Sequence, residues 1–262
     1  MRYLLASFVV LTAAGAIAAA PSIDPALTAA IKAPTRTPAN VARDKYRHPA
    51  ETLTFFGIKP GQTVVEIWPA GGWYTEILAP YLAKSGRYVA AAPSEKARGG
   101  VQKLIAAHPD AYGKVQFATF PSADAPDRVA AGSADVVLTF RNVHNWMGGG
   151  AAQGAFEQMF AMLKPGGVLG VVEHRLPEDA KGITEAESGY VKRSTVLALA
   201  SKAGFKLVGE SPVNANPKDT HNYPKGVWTL PPNYAEGDKD RAKYAAIGES
   251  DRMTLKFVKP LK

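Results

Sequence analysis

The stretch VVEIWPAGGWYTEIL, from Val64 to Leu78, decides the fold. An apolar run reaches an acid at Glu66, a Pro-Ala-Gly-Gly turn follows, and a helical pattern begins near Tyr74. Buried parallel strands are apolar almost throughout, and glycines allow the backbone to turn tightly between a strand and a helix. The stretch therefore predicts a strand, a tight turn at its carboxyl end and a helix.

The same alternation continues along the chain. Strands separated by helices of roughly 10–15 residues indicate a parallel sheet with helices on both faces. The sequence thus predicts an α/β fold with a doubly wound, mostly parallel seven-stranded sheet. The predicted strands are Thr63 to Ile67, Arg87 to Ala92, Val115 to Phe120, Ala134 to Phe140, Val168 to Glu173, Phe205 to Glu210 and Met253 to Val258.

Residues 1–20 have the pattern of a secretory signal peptide. Arg2 precedes an apolar run from Leu4 to Ile17, and small residues follow it. The run is shorter than the roughly 20 residues that span a bilayer, so cleavage near Ala18 is favoured over an uncleaved anchor. We expect a periplasmic or secreted protein that keeps no stable membrane anchor.

The remaining chain divides into a leader and one domain. Residues 21–40 contain four prolines and little periodicity, which predicts an extended leader. Residues 41–262 then form the α/β domain. Within it, residues 211–252 are rich in loops and prolines, and an insert of that length is usually functional or disordered. We expect this segment to fold as a lid over the ligand cleft.

Composition narrows the function classes. The chain has no cysteine, which excludes disulfides, thiolate metal sites and a cysteine nucleophile. Its 31 basic and 23 acidic residues give a net charge of +8, but no basic run exceeds two residues. A dispersed charge of this kind does not indicate a nucleic-acid partner. A small molecule is the expected ligand, and it is expected at the carboxyl ends of the strands.

The first strand and its turn resemble those of class I S-adenosylmethionine-dependent methyltransferases. In that family the strand ends in an acid and glycines follow beneath the cofactor; Glu66 stands at the acid, and Gly71 and Gly72 at the last glycines. The motif LKPGG, Leu163 to Gly167, and the closing strand extend the resemblance. It implies a Rossmann-like methyltransferase fold with the last strand antiparallel, and S-adenosylmethionine as cofactor.

A narrower resemblance is to a bacterial family of predicted exported methyltransferases. The segments that carry it are DKYRHP (Asp44 to Pro49), EIWPAGGWYTEILAPYL (Glu66 to Leu82), FRNVHNWM (Phe140 to Met147) and SDRMTLKF (Ser250 to Phe257). This resemblance implies methyl transfer to a small molecule.

The chain departs from the family at the cofactor positions. Trp68 and Ala70 replace the first glycines, and Ala92 stands where the second strand normally ends in an acid that binds the ribose. Hydrogen bonds to charged groups contribute roughly 1.5–3 kcal/mol each, so the missing acid weakens the cofactor site. Export is a second argument against this cofactor, which is made in the cytoplasm. A protein that kept the fold but lost S-adenosylmethionine, as a binding protein or another enzyme, is therefore the alternative.

Four histidines, His48, His144, His174 and His221, fall at predicted rim positions. They favour general acid–base chemistry, because imidazole titrates near neutral pH. A metal site with carboxylates is the less favoured alternative, and no metal is expected because no close His spacing occurs.

The run Arg141 to Trp146 is the densest polar segment beside a buried strand. Arg141 could hold a carboxylate or phosphate, or could pair with Glu66 or Glu173, and Asn145 could orient a substrate. His144 or Tyr46 could act as the base. The candidate catalytic residues are His144, Arg141, Asn145, Tyr46 and His174; the candidate cofactor positions are Glu66, Trp68, Gly71, Gly72, Ala92 and Asn142.

Overall fold

The structure, a computed structural model, describes residues 22–122 and 124–261, so the predicted signal peptide lies outside the described residues. The strands are β1 Thr63–Ile67, β2 Arg87–Ala92, β3 Gln116–Thr119, β4 Ala134–Phe140, β5 Leu163–Leu176, β6 Val191–Lys192, β7 Lys206–Ser211 and β8 Arg252–Val258. The α-helices are α1 Pro25–Ile31, α2 Pro38–Val41, α3 Asp44–Arg47, α4 Pro49–Phe56, α5 Thr75–Leu82, α6 Glu95–Ala107, α7 Pro109–Tyr112, α8 Val143–Gly148, α9 Ala152–Met162, α10 Arg193–Lys202 and α11 Arg241–Ile247. None of the helices in this part of the chain is both long and apolar enough to cross a bilayer.

The central sheet has the strand order β3-β2-β1-β4-β5-β8-β7. Strand β8 is antiparallel to both of its neighbours, and the pairs from β3 to β5 are parallel. The predicted doubly wound, mostly parallel sheet with an antiparallel last strand is confirmed. The additional strand β6, which pairs with β5, has only two residues and is too short to show a periodicity.

Side chains of the central strands alternate between two hydrophobic clusters. Val64 packs on the face covered by α1, α4 and α5, whereas Val65 packs on the face covered by α9 and α10. The neighbouring strand β4 repeats this with Val136 and Val137. Both faces are therefore buried, which explains why these strands are apolar at successive positions.

The extended leader predicted for residues 21–40 is wrong. Helix α1 lies within these residues and is capped by the Asp24 carboxylate. It buries Leu27 in the hydrophobic cluster that also contains Val64. Pro25 and Pro38 occupy the first turns of helices, where the missing N–H is not needed. Prolines interpreted as signs of an extended chain are here helix starts.

Strands β1 and β4 lie side by side although β2 and β3 intervene in the chain. Connections from adjacent strands that leave in opposite directions open a crevice at the carboxyl ends, where ligands of such sheets bind. The ends of β1, β4 and β5 meet at this point.

Candidate functional site

A cavity of about 270 Å³ lies at the carboxyl ends of β1, β4 and β5. Glu66, Arg141 and His174 line it from the three strand ends, and Arg47 lines it from α3. Trp228, with neighbouring residues of the segment 211–252, forms part of its wall. The cavity is therefore enclosed by the sheet on one side and by that segment on the other.

Three residues of the wall, among them Ala70, have a backbone in the left-handed region, and two of these three carry bulky side chains. Trp68 follows β1 with φ 51° and Arg141 follows β4 with φ 63°, in the left-handed region that bulky residues avoid. Such conformations cost on the order of 1–3 kcal/mol and cluster at functional sites. Here the sheet holds them, because the N–H of each donates to a neighbouring strand, at 2.7 Å to Ala91 and to Val172 respectively.

Four arginines surround one carboxylate beside the cavity. The Nε atoms of Arg43 and Arg47 lie 2.6 and 3.2 Å from the Glu249 oxygens, and Nη1 of Arg252 lies 3.2 Å away. Burial disfavours the charged carboxylate, but the adjacent guanidinium groups outweigh burial and lower the pKa of Glu249 to about 2. Glu249 is thus fully ionised at neutral pH.

Arg141 is the fourth member of this arginine cluster. Its guanidinium makes no hydrogen bond or ion pair with any residue in 22–122 or 124–261, so neither Glu66 nor Glu173 pairs with it there. Burial, together with Arg252 and other positive neighbours, lowers the pKa of Arg141, although Glu249 opposes this shift. Four guanidinium groups against one carboxylate leave an excess of three positive charges.

Glu66 does not remove this excess. The Tyr88 hydroxyl donates to its Oε2 at 2.5 Å and lies 2.7 Å from Thr75 Oγ1. Burial raises the pKa of Glu66 to about 7, against the opposing effects of Tyr88, Arg141 and Arg47. The carboxyl is therefore only partly ionised near neutral pH.

A carboxylate–imidazole pair faces the same cavity. The fully buried Glu173 accepts hydrogen bonds from the N–H groups of Val143 and His174, at 2.6 and 2.9 Å. Its Oε1 lies 3.1 Å from Nδ1 of His144. Because a carboxylate only accepts, Nδ1 of His144 carries the hydrogen. Nε2 is then the free nitrogen, and it has no hydrogen-bond partner among the described residues.

His174 is the second imidazole of the cavity. Its Nδ1 lies 2.5 Å from Ser250 Oγ, and its ring centroid lies 5.6 Å from that of His144. Burial, followed by His144 and Arg141, lowers the pKa of His174 well below its usual value. This imidazole is neutral at physiological pH.

The structure brings together most, but not all, of the residues singled out from the sequence. Those lining the cavity are Glu66, Trp68, Arg141, Asn142, His144, Asn145 and His174. Gly71, Gly72, Ala92 and Tyr46 lie outside its lining. Asn142 also ties two strands together, because its amide donates to the carbonyl of Ile67 at 2.9 Å.

The four rim histidines do not converge. His144 and His174 share the cavity, whereas His48 lies with Tyr46 on a neighbouring cavity of about 210 Å³. His221 lines a third, more open pocket and lies 3.8 Å from Asp251. Within the described ranges, no group of three or more histidines and carboxylates is placed to hold a metal ion.

Trp68 stands at a position where the resemblance places one of the first glycines, beside the amino-acid end of S-adenosylmethionine. Its Nε1 donates to the carbonyl of Phe120 at 2.9 Å, and its indole packs edge-on against Trp146. Since β2 lies between β1 and β3, a side chain that joins the ends of β1 and β3 passes over the end of β2. That end is Ala92, which is buried and offers no carboxylate.

The residues present therefore do not fit S-adenosylmethionine. Ala92 offers no carboxylate to the ribose hydroxyls, and the indole of Trp68, at a position where the family has glycine, reaches the end of β3. The cavity of about 270 Å³ is also small, since sites for drug-sized ligands measure roughly 300–1,000 Å³.

Sequence reasoning missed the arginine cluster, Ser250 and Trp228. Arg47 belongs to the segment DKYRHP, and Arg252 to the segment SDRMTLKF. Both segments carry the resemblance, but they lie about 200 positions apart in the chain. These two polar motifs were the sequence features that could have indicated the cluster. Only the fold shows that Arg47 and Arg252 meet at Glu249.

No protein-family model matches this chain, and no curated protein matches it in sequence. A S-adenosylmethionine-dependent methyltransferase from Aquifex aeolicus is similar in structure, with a TM-score of 0.59, 15% identity, and coverage of 87% of this chain and 96% of that one. The (4+2)-cyclase SpnF is similar with a TM-score of 0.57, 15% identity, and coverage of 80% and 79%. A putative sarcosine dimethylglycine methyltransferase from Galdieria sulphuraria has a TM-score of 0.56, 12% identity, and coverage of 85% and 86%.

These similarities concern the fold. Two of these three structures are named as methyltransferases, and each alignment covers most of both chains. Identities of 15% or less leave the site residues unassigned. The chain has the Rossmann-like fold of class I methyltransferases.

Proposed function

We propose that this protein binds a small anionic molecule, a carboxylate or a phosphate, in the cavity at the carboxyl ends of β1, β4 and β5. The observation that carries the proposal is the unpaired guanidinium of Arg141 beside three further arginines that share Glu249. Arg141 is half-buried, and beside it Nη2 of Arg43 and Nη2 of Arg47 are buried without a hydrogen-bond partner. Crowded positive charge with unpaired buried donors is costly, and an anion in the cavity lowers that cost. The planar fork of arginine suits carboxylates and phosphates, which it binds through two parallel hydrogen bonds.

The walls fit a compact ligand. Trp68, Trp73 and Trp228 supply flat apolar surfaces around the charged groups. Polar and charged side chains line the cavity alongside these aromatic surfaces, and such convergent polar groups fix the orientation of a small ligand. The ligand class is therefore a small organic acid or phosphate rather than a nucleoside.

Export forms part of the proposal. The signal-peptide pattern of residues 1–20 supports a periplasmic or secreted protein, in which the ligand comes from outside the cytoplasm. In this role the chain is a binding protein or an enzyme that kept the fold and lost S-adenosylmethionine.

Methyl transfer from S-adenosylmethionine to a small molecule is the second candidate. Glu66 lines the cavity from the position of the family's acid, and similar structures are named as methyltransferases. The fold does not require that chemistry, since one similar structure is named as a cyclase. Trp68 and Ala92 favour the first candidate.

Isothermal titration of the purified protein separates the two candidates. The ligands titrated are inorganic phosphate, malonate, S-adenosylmethionine and S-adenosylhomocysteine. They are added to the wild type and to Arg141→Gln. The matched control is Arg193→Gln, which removes an arginine that forms an ion pair at the surface. We expect anion binding to weaken about tenfold or more in Arg141→Gln only, from the loss of a charged contact. We expect S-adenosylmethionine to bind no tighter than on the order of 100 μM. Micromolar binding of S-adenosylmethionine that disappears in Glu66→Ala would reverse the order of the candidates.

A further inference from the structure

We propose that His144, held by Glu173, is a general base that removes a proton from a small oxo-carboxylate bound at Arg141. This inference rests on the proposed anion-binding function and extends it to a reaction. It concerns the carboxylate–imidazole pair, which anion binding alone does not require.

The first step is the orientation of the imidazole. Glu173 accepts from Nδ1 of His144 and is itself fixed by two backbone N–H groups. This arrangement leaves the lone pair on Nε2, and His144 lines the cavity. An imidazole whose second nitrogen is fixed by a carboxylate is the arrangement that general bases use.

The second step is the charge balance of the protonated state. When His144 takes up a proton, the adjacent Glu173 carboxylate stabilises the imidazolium. The neighbouring His174 adds no second positive charge, because burial lowers its pKa well below its usual value. The acquired proton is therefore tolerated although the arginine cluster lies nearby.

The third step is the fate of the electrons. The C–H bond next to the substrate carbonyl breaks, its hydrogen joins Nε2 of His144, and its electron pair moves to the carbonyl oxygen as an enolate. Arg141 holds the substrate carboxylate, and the excess positive charge of the neighbouring arginines around Glu249 stabilises the negative charge that develops. The proton on Nε2 exchanges with water, and transfer of a solvent-derived proton from His144 to carbon regenerates the carbonyl, so the cycle needs no oxidant or reductant.

Alkylation tests the position of the base. The chain has no cysteine, so no thiol competes with its histidines for bromoacetate. The imidazole nitrogen attacks the CH₂ carbon, a C–N bond forms and bromide leaves. We expect His144 to react at least about tenfold faster than the exposed His108, since the anion is held beside it. Neutral bromoacetamide is expected to show no such preference. Peptide mass spectrometry locates the label, and equal labelling of His144 and His108 by bromoacetate would overturn the proposal.

Hydrogen exchange tests the reaction. Pyruvate in D₂O is the probe, and proton NMR measures the loss of its methyl signal. We expect wild-type protein to catalyse exchange and His144→Asn to be slower by roughly 100-fold or more. Asparagine retains an N–H that can donate to Glu173, and an unchanged circular dichroism spectrum and melting temperature show that this variant is folded. Absence of exchange in the wild type, or equal exchange in His144→Asn, would overturn the general-base assignment.

The two proposals fail separately. If Arg141→Gln binds phosphate like the wild type, the anion site is wrong. If Arg141→Gln loses phosphate while His144 is neither labelled by bromoacetate nor required for exchange, the anion site stands and the base is wrong.

Discussion

Replacing Glu249 by glutamine removes the one carboxylate that Arg43, Arg47 and Arg252 share. The magnitude of the effect follows from the pKa of this group, which is lowered from 4.5 to about 2. One pKa unit corresponds to about 1.4 kcal/mol, so ionised Glu249 stabilises the folded state by about 3 kcal/mol. Breaking a buried ion pair from one side typically costs roughly 3–5 kcal/mol, which agrees with this figure.

The pH dependence of this effect has a definite sign. The folded pKa lies below the unfolded value, so the stabilisation is fully present above about pH 4.5 and is lost as the pH falls towards 2. The difference between wild type and Glu249→Gln is therefore expected to be constant from pH 8 to pH 5 and to shrink below that range.

Urea unfolding at pH 7 measures the difference. The matched control is Glu210→Gln, whose carboxylate pairs with Arg193 at the surface, where an ion pair contributes about 0–1 kcal/mol. Each kcal/mol lowers the melting temperature of a domain of this size by roughly 2–4 °C, so Glu249→Gln is expected to melt about 6–12 °C lower than wild type. A loss below about 1 kcal/mol, equal to that of Glu210→Gln, would refute the assignment of Glu249 as the counter-ion of the arginine cluster.

Three further predictions concern other parts of the chain. Burial raises the pKa of Glu66 to about 7, so the wild type loses stability as the pH rises from 4.5 through 7. Urea unfolding is expected to show that Glu66→Gln is about 3 kcal/mol more stable than the wild type at pH 8. At about pH 4 the variant is expected to be no more stable than the wild type. Gly100→Ala would place a Cβ atom 2.3 Å from the carbonyl oxygen of Ala70, so thermal unfolding should show a loss of about 1–3 kcal/mol. Its matched control Gly99→Ala meets no atom within 4 Å and is expected to gain about 0.4–1 kcal/mol. Amino-terminal sequencing of the protein from its native host is expected to begin within Ala18 to Ser22, and an intact Met1 would contradict export.

Much of the fold could be predicted because its signals are local. The apolar runs of β1 and β4 reflect burial on both faces, and the turn from Pro69 to Gly72 marks the carboxyl end of β1. The extended chain predicted for residues 21–40 is wrong because proline favours both an extended chain and the first turn of a helix. Only packing, here that of Leu27, decides between the two.

The site was less predictable because its charges come from distant segments. The run Arg141 to Trp146 stands out by its polar density after a buried strand. The charged residues around Arg141 could not be found in this way, since the contact between Arg47 and Glu249 joins residues 202 positions apart. The position of Trp68 was visible in the sequence, but the path of its indole to Phe120 depends on the backbone at φ 51°.

The most direct test of the central claim, that Arg141 binds a small anion, is a crystal structure of the protein with selenate, whose selenium is located by anomalous scattering. Selenate is a tetrahedral oxyanion small enough for a cavity of about 270 Å³. We predict an anomalous peak in the cavity, with selenate oxygens roughly 2.7–3.2 Å from the Arg141 guanidinium. A cavity without selenate, with Arg141 paired to Glu66 or Glu173, would contradict the account.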